Sequence, residues 1–393
     1  MPAPDRRAFL KALGVLGLGA AGLPLAACGN GADSPGSGPS PARDVSTRDL
    51  LVNWASRPLY LDYDADQKSH PTLDVFTRTV GIKVTYEESI QDGESFYEEV
   101  QPQLRSGRDI GADLVVLRDH VAARLIRQGY VQRLDRSKIP NAANLLPALA
   151  DPNWDPGRQY SLPWQSGYTG LAWRRDAVDD GLRSVSDLWR KDLKGKVVVL
   201  SEMRDTMGLL LGEQGADVGG ANGTGFTDDD FSKALEVLEK QLSSGQIRRV
   251  AGAEYADDLV SGDAVAVIAR SGDIAQLNEM HGHKWDFALP DGGGLRWSDD
   301  LLIPIGAPHK ENAEILINYY YGPKVAATVA EAIRFVCPVT GAQEQMQTID
   351  SRVAVDDRVF PTPEQFAKVP AFRDLQPAEE AQFDSDFRTV IGV

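Results

Sequence analysis

Residues 71–86 read Pro-Thr-Leu-Asp-Val-Phe-Thr-Arg-Thr-Val-Gly-Ile-Lys-Val-Thr-Tyr, and this stretch decides the class of fold. Between Pro71 and Val80, the side chains of Leu73, Phe76 and Val80 recur at helical spacing, which predicts a helix with one apolar face. Gly81 is typical of a helix end. Residues 82–86 then alternate between apolar and polar side chains, which predicts a β-strand. The stretch is therefore a helix followed directly by a strand.

The same alternation continues on both sides of this stretch. Residues 50–54 predict a strand before it, and residues 96–104, 113–116 and 120–128 predict an amphipathic segment, a short buried strand and a helix after it. Further helices are predicted at 186–189, 206–211, 231–242 and 312–321 and from Pro323, with strands at 196–200 and 264–269. This order predicts an α/β fold with mainly parallel sheets flanked by helices.

The N-terminus has the features of an export signal. Arg6 and Arg7 precede an apolar run from Ala12 to Ala27, and the pair resembles a twin-arginine signal. The run is shorter than the roughly 20 residues that span a bilayer, so we interpret residues 1–27 as a signal peptide. Leu-Ala-Ala before Cys28 resembles a lipobox, which predicts lipidation of Cys28 and attachment to the outer face of the cell membrane. Residues 28–47, rich in Gly, Ser and Pro, predict a flexible tether.

Composition excludes some classes of protein. The chain has 393 residues and a formal charge of -16, and removal of the signal's Arg6, Arg7 and Lys11 against Asp5 makes it -18. So acidic a chain repels the phosphates of nucleic acids and attracts cationic ligands. With Cys28 lipidated, Cys337 is the one remaining cysteine, so no intrachain disulfide is expected.

Motifs of common enzymes and metal sites are missing from the sequence. It contains no G-x-S-x-G, Walker A, H-E-x-x-H or C-x-x-C pattern. His281 and His283 have no carboxylate or thiol cluster beside them, so a surface position is favoured over a metal site. Ser201, Glu202 and Asp205 have no histidine nearby in sequence to complete a hydrolytic group. We expect no cofactor, no metal and no catalysis.

Several segments together resemble the polyamine (spermidine/putrescine) substrate-binding proteins of ABC uptake systems. No single one is specific, but their order and spacing are similar from about residue 50 to residue 383. The segments are Val52-Asn53-Trp54, Gly81-Ile82-Lys83-Val84, Asp113-Leu114-Val115-Val116, Gly129-Tyr130-Val131, Tyr160-Ser161-Leu162-Pro163-Trp164, Ser186-Asp187-Leu188-Trp189, Lys194-Gly195-Lys196 and Trp297-Ser298-Asp299-Asp300.

The resemblance implies a two-lobed, type II periplasmic-binding-protein clamp that holds its ligand between the lobes. We expect lobe 1 at 48–164 plus 286–334 and lobe 2 at 165–285 plus 335–393, with crossings near 164–173 and 285–289. The resemblance also implies partners, namely an ABC permease with its ATPase, and we expect a monomer.

The resemblance assigns ligand contacts to particular positions. The carboxylates would bind ligand ammonium groups, and the aromatic rings would cover the alkyl chain. His120 and Phe335 stand where the family has tyrosines. The expected ligand residues are Trp54, His120, Glu202, Asp205, Trp297, Asp299 and Phe335.

Departures from the family pattern leave the ligand open. Alanine stands at position 269 where the family has tryptophan, and arginines lie near the expected site at positions 57, 118, 270 and 296. If two of these arginines face the cleft, they neutralise its carboxylates and favour a zwitterionic ligand; otherwise they form salt bridges at the rim. A polyamine or related small amine is the first hypothesis, and the alternatives are another small solute or a surface sensor or enzyme-like lipoprotein.

Overall fold

The computed structural model describes residues 38–393 except 222–224 and 253. The predicted signal peptide and the predicted lipidation site, Cys28, lie outside the described residues. In the part of the chain that is described, no helix has the length and apolar character needed to cross a membrane.

Helices and strands alternate along most of the described chain. The strands are β1 (Leu51–Ala55), β2 (Lys83–Glu87), β3 (Leu114–Arg118), β4 (Ser161–Arg174), β5 (Val197–Leu200), β6 (Ile247–Ala251), β7 (Ala266–Arg270), β8 (Trp285–Ala288) and β9 (Leu295–Leu302). The helices are α1 (Pro71–Val80), α2 (Gly93–Arg105), α3 (Asp119–Arg127), α4 (Met203–Glu213), α5 (Asp228–Ser243), α6 (Tyr255–Ser261), α7 (Ser271–His281), α8 (Lys310–Tyr320), α9 (Pro323–Ile333), α10 (Ala342–Ile349), α11 (Pro363–Lys368) and α12 (Pro377–Ile391). The predicted helix at 186–189 is a short 3-10 helix, Val185–Trp189, capped by Ser184.

The opening β-α-β-α-β-α order is confirmed. Pro71 starts α1, and Gly81 ends it with φ 83, a left-handed conformation that glycine adopts without steric cost. Leu73 and Phe76 are buried as predicted, whereas Val80 is 42 % exposed. The apolar face of α1 is therefore narrower than the sequence suggested.

The strands form one mixed sheet in the order β2-β1-β3-β9-β4-β7-β5-β6, with β8 also paired to β4. Strand β1 is parallel to β2 and β3, and β5 is parallel to β6 and β7. In the middle of the sheet, β9 is antiparallel to β3 and β4, and β4 is antiparallel to β7 and β8. The α/β class is confirmed, but parallel pairing is limited to the two outer parts of the sheet.

Strands β4 and β9 connect two hydrophobic cores. Leu162 of β4 packs in the first core and Leu171 in the second, while Leu295 of β9 packs in the second core and Leu301 in the first. The predicted crossing at 164–173 thus lies within β4. At the predicted return, 285–289, β8 pairs with the second-core end of β4, and β9 then runs from the second core to the first.

The two cores divide the sequence differently from the expected lobes at one place. The first core includes Val52, Phe76 and Leu316, and the second includes Val198 and Ile268. Residues from 335 to 369, expected in lobe 2, contribute their buried side chains to the first core, whereas the buried side chains from 375 to 387 belong to the second. A chain that crosses again near residue 370 explains this packing.

The end of the predicted tether is anchored rather than flexible. The backbone N–H groups of Ala42 and Val45 donate to carbonyls in the loop before α8. Asp44 accepts a hydrogen bond from the backbone of Glu311 at 3.1 Å, and Ser46 accepts one from the backbone of Asn312 at 3.2 Å. These residues satisfy free N–H groups in the first turn of α8, a role that the sequence had indicated for Asn312 itself.

Candidate functional site

Three arginines and two aspartates form a buried group that we call the inner ion-pair network. Arg118 and Arg270 end strands β3 and β7, and Arg57 follows β1. Asp205 lies in the first turn of α4, after β5, and Asp299 lies within β9. The ends of parallel strands from both outer parts of the sheet thus meet here. Ligands of open α/β sheets bind at such ends, which makes this region the candidate site.

Asp299 is enclosed by donors from the chain itself. The hydroxyl of Tyr60 donates to it at 2.6 Å, Arg57 donates at 3.0 Å, and the Nε of Arg118 lies 3.5 Å away. Burial raises the pKa of the Asp299 carboxyl, but the Arg118 and Arg57 charges and the Tyr60 hydrogen bond outweigh it and lower the pKa. Asp299 is therefore a carboxylate whose charge is already compensated.

Asp205 is enclosed in the same way. Thr169 donates its hydroxyl at 2.7 Å, and the guanidinium groups of Arg118 and Arg270 lie at 3.1 and 3.2 Å. Burial raises the pKa of this carboxyl, and the two arginine charges lower it below its ordinary value. The two aspartates that the family resemblance assigns to ligand ammonium groups are thus both occupied by arginines.

Arg118 joins the parts of the network. It pairs with Asp205 and Asp299, and its guanidinium carbon lies 4.0 Å from the ring centre of Trp297, a cation–π contact. The Trp297 indole is buried against Phe335, with ring centres 5.7 Å apart. Glycine faces the indole across the sheet at position 167, where an added Cβ would come within 2.5 Å of the ring. Trp297 thus covers an arginine of the chain itself.

Glu202 and His120 line the edge of this network and differ from it in their contacts. Among the described residues, the ion-pair partner of Glu202 is His120, at 3.9 Å, and no arginine pairs with it. The Nε2 atom of His120 also lies 3.2 Å from Glu94, and Nδ1 lies 3.7 Å from Asp119. Burial and the nearby Arg204 lower the pKa of His120, but the three carboxylates raise it to about 9. His120 is therefore positively charged at neutral pH.

Two predicted ligand residues lie in the first core. Trp54 is 1 % exposed, and its ring makes edge contacts with Tyr86, Trp164 and Tyr320. Phe335 is 2 % exposed and packs on Trp297. Neither lines the cavities described next. We expected both rings to contact the ligand. Instead, each ring packs against other aromatic side chains of the chain.

Three neighbouring cavities surround the network, and His120 lines all of them. The small cavity, about 20 Å³, is lined by Arg118, Asp119, His120, Glu202, Arg204, Asp205, Leu295, Arg296, Trp297 and Phe372. A medium cavity of about 220 Å³ includes Arg57, Glu202, Arg270 and Asp299, and a large one of about 1160 Å³ includes Arg296, Trp297 and Ser298. The small cavity has room for about one water molecule, so the side chains that line it are closely packed, whereas the two larger cavities beside it have room for a small solute.

Of the four arginines that the sequence left undecided, Arg57, Arg118 and Arg270 pair with the central carboxylates. Arg296 instead donates its Nε to the carbonyl of Val369 at 2.9 Å and lies over the Phe366 ring. Sequence reasoning missed Tyr60 and Thr169. An aromatic shortly after the first strand was a usable signal for Tyr60, but one threonine in a long strand carries none.

The described residues include no group of three histidine, cysteine or carboxylate side chains arranged to hold a metal ion. The site offers charged donors and acceptors around small cavities. It can bind a small polar solute by ion pairs and hydrogen bonds.

Comparisons with known proteins identify the family. The model of the bacterial extracellular solute-binding proteins matches residues 72–356. The spermidine/putrescine-binding periplasmic protein of Escherichia coli K12 is 29% identical over 295 residues, covering 74% of this chain and 80% of that protein. The putrescine-binding periplasmic protein SpuD of Pseudomonas aeruginosa is 25% identical over 339 residues, covering 83% and 86%.

A solved structure agrees in fold. The spermidine/putrescine ABC transporter substrate-binding protein PotD of Streptococcus pneumoniae superposes with a TM-score of 0.71, at 19% identity, over 86% of this chain and 98% of that one. The predicted resemblance and the predicted non-enzymatic, solute-binding role are confirmed. The chain belongs to the family of bacterial extracellular solute-binding proteins.

Proposed function

We propose that the chain is the solute receptor of an ABC importer and that it captures a polyamine or a related small amine beside the inner ion-pair network. The observation that carries the amine is Glu202, a carboxylate that lines two of the cavities and pairs with no arginine among the described residues. The names of the relatives, which bind spermidine or putrescine, support the same class of ligand.

The chemistry of the site suits an amine of short chain length. An ammonium group needs a carboxylate partner when it leaves water, and Glu202 is available for that role. Each buried methylene contributes about 0.8 kcal/mol, and Trp297 and Phe372 provide apolar surface in the small cavity. Three further predicted residues lie around the same cavities, namely His120, Asp205 and Asp299. In this proposal they position Glu202 and the arginines and do not contact the ligand themselves. Trp54 and Phe335 are not included in this proposal, because both are packed in the first core.

We further propose that the protein works as two lobes that close on the solute, each built around one core. Residues near 370 mark the last crossing, which places 335–369 in the first lobe. Closure is favoured only to the extent that the solute binds the closed state more tightly than the open one. A solute that contacts both Glu202, just before α4, and Trp297 of β9 satisfies that condition, since α4 packs in the second core and Trp297 in the first.

The proposed location is the outer face of the cell membrane, with export by a twin-arginine signal and lipidation of Cys28. A lipid anchor keeps a receptor near its permease. We propose that the anchored protein is a monomer. In a Cys28→Ser variant, which has no thiol to lipidate, we expect the protein to move from the membrane fraction to the soluble extracytoplasmic fraction. Retention of that variant in the membrane would contradict the anchor.

Calorimetric titration with putrescine and spermidine tests the ligand. We expect binding by the wild-type protein and at least a tenfold loss of affinity in Glu202→Gln, because hydrogen bonds to charged groups contribute about 1.5–3 kcal/mol. The matched control is Glu239→Gln on the exposed surface of α5, which should bind like wild type. Absence of heat with every amine, from protein shown to be folded, would exclude the proposed ligand class.

A further inference from the structure

The small cavity carries a charge opposite to that of the whole chain. Four cationic side chains line it, namely Arg118, His120, Arg204 and Arg296, against the three carboxylates of Asp119, Glu202 and Asp205. The chain as a whole has a net charge of -16. A positive excess inside so acidic a protein favours a ligand that brings a negative charge beside its ammonium group.

Arg296 accounts for this excess. The other cations have carboxylate partners: Arg118 pairs with Asp205 and Asp299, Arg204 pairs with Glu380 at 2.7 Å, and His120 lies among three carboxylates. For Arg296, no ion pair with a carboxylate occurs anywhere in the described ranges. Its Nε donates to a backbone carbonyl at 2.9 Å, and burial lowers the pKa of its guanidinium. A partly buried cation without a carboxylate partner is costly, so this position favours an incoming anion.

Glu202 is the complementary feature on the same cavity. Asp119, on the same cavity, also has no arginine partner, but its oxygens accept the backbone N–H groups of His120 and Ser298. Among the described residues, Glu202 has only the distant His120 as an ionic partner, and Arg296 has no carboxylate partner. The two nevertheless do not pair with each other, although both line a space that holds about one water molecule. Glu202 also lines the medium cavity and Arg296 the large one, so a molecule that extends beyond the small cavity into these two can meet both charges.

We infer that the solute is a zwitterion, an amine that also carries a carboxylate, with its ammonium at Glu202 and its carboxylate at the guanidinium of Arg296. This inference rests on the proposed function and narrows its ligand class. Guanidinium groups present two parallel N–H donors to a carboxylate, which makes arginine a suitable partner for the acidic group. Trp297, beside Arg296 in sequence and lining the same cavity, would cover the carbon chain between the two charges.

Pairs of matched ligands test the contribution of the ligand's carboxylate to binding. Putrescine and 4-aminobutyrate have chains of equal length and differ in that one ammonium is replaced by a carboxylate, and cadaverine and 5-aminovalerate form the next pair. Calorimetric titration of the wild-type protein at neutral pH should show at least tenfold tighter binding of the amino acids than of the diamines. In Arg296→Gln, the amino acids should lose at least tenfold in affinity, whereas the diamines should keep or gain affinity.

Two further variants guard the interpretation. Arg296→Lys keeps the charge but not the paired donors, so it should bind the amino acids with intermediate affinity. Arg175→Gln is the matched control. Arg175 forms an exposed ion pair with Asp286 and lines none of the three cavities, so this variant should behave like wild type. Thermal unfolding of each variant shows whether it is folded.

The outcomes distinguish the inference from the proposed function. Diamines that bind at least as tightly as the amino acids would overturn the inference and leave amine capture standing. Amino-acid binding that is unchanged in Arg296→Gln and Arg296→Lys would also overturn it. No binding of either pair by folded protein would remove the proposed ligand class, and the zwitterion with it.

Discussion

The inner ion-pair network and the pair formed by Glu202 and Arg296 lie around the same cavities but are built differently. In the network, Asp205 and Asp299 each have several donors from the chain. Glu202 and Arg296 have no such partners among the described residues. This difference shows that a charged residue beside a cavity need not be a ligand-binding residue. Charges that the chain pairs internally stabilise the described conformation, and in our proposal the solute meets the charges that are not paired in this way.

The largest effect is expected from breaking the network at Arg118. Arg118→Met leaves Asp205 and Asp299 short of a buried counter-charge, and loss of one partner of a buried pair costs about 3–5 kcal/mol. Equilibrium unfolding in urea should show this loss in the free energy of unfolding. The control Arg175→Met removes one partner of an exposed pair and should change it by less than about 1 kcal/mol. Equal effects of the two variants would show that the network does not stabilise the fold.

A smaller effect is expected from the protonation of His120. Its pKa in the folded protein is raised from 6.5 to about 9, so its charge stabilises the fold fully below pH 6.5, and this contribution is lost as the pH rises through about 9. The change amounts to something on the order of 3 kcal/mol. The charged groups that face His120 are Glu94 on α2, Asp119 on α3, Glu202 just before α4, Arg204 on α4 and Asp384 on α12.

Unfolding of wild type and His120→Gln across this pH range measures the effect. The free energy of unfolding of wild type should fall more steeply than that of the variant between pH 6.5 and 9. Parallel curves would mean that His120 does not change its protonation there. Below pH 6.5 the difference between the two proteins should be constant.

The smallest effect on stability is expected from the uncompensated pair. Arg296→Met removes a partly buried charge that has no carboxylate partner among the described residues, so it should change the free energy of unfolding by less than about 1 kcal/mol and can be stabilising. Glu202→Gln removes the carboxylate that contributes most to the raised pKa of His120, so its effect should lie between those of Arg296→Met and Arg118→Met. A loss as large as that of Arg118→Met would show that these residues belong to the structural network. The comparison on which the zwitterion rests would then fail.

The sequence predicted several residues of the site but not their ion-pair partners. Asp299, Trp297 and Asp205 were placed near the cleft by the resemblance, and all lie around the inner ion-pair network. Their engagement by Arg118 joins β3, α4 and β9, segments that are far apart in the chain. No periodicity or local motif reports such a contact, so the sequence left open whether the arginines faced the carboxylates or the solvent.

The same limit applies to the fold. Helix and strand periodicity identified the opening elements, because each pattern is local. The antiparallel pairing of β4 and β9 was not predicted, since pairing partners depend on the whole sheet. Helices α6, α7 and α10 to α12 were also missed. The buried residues of α7 include Ser271 and Asn278, and those of α12 include Glu380, so neither helix shows a purely apolar periodicity.

By itself, the sequence determined the α/β class, the acidic charge, the resemblance to solute-binding proteins and the residue types of the site. Local periodicity and composition contain this information because neighbouring residues share one helix or strand. Only the tertiary structure decided which charges neutralise each other. Ion pairs depend on distances of a few ångströms between remote segments, and burial decides how strongly each pair counts. That is why Asp205 and Asp299 proved to be held by arginines, while in the described part of the chain Glu202 has no arginine partner and Arg296 no carboxylate partner.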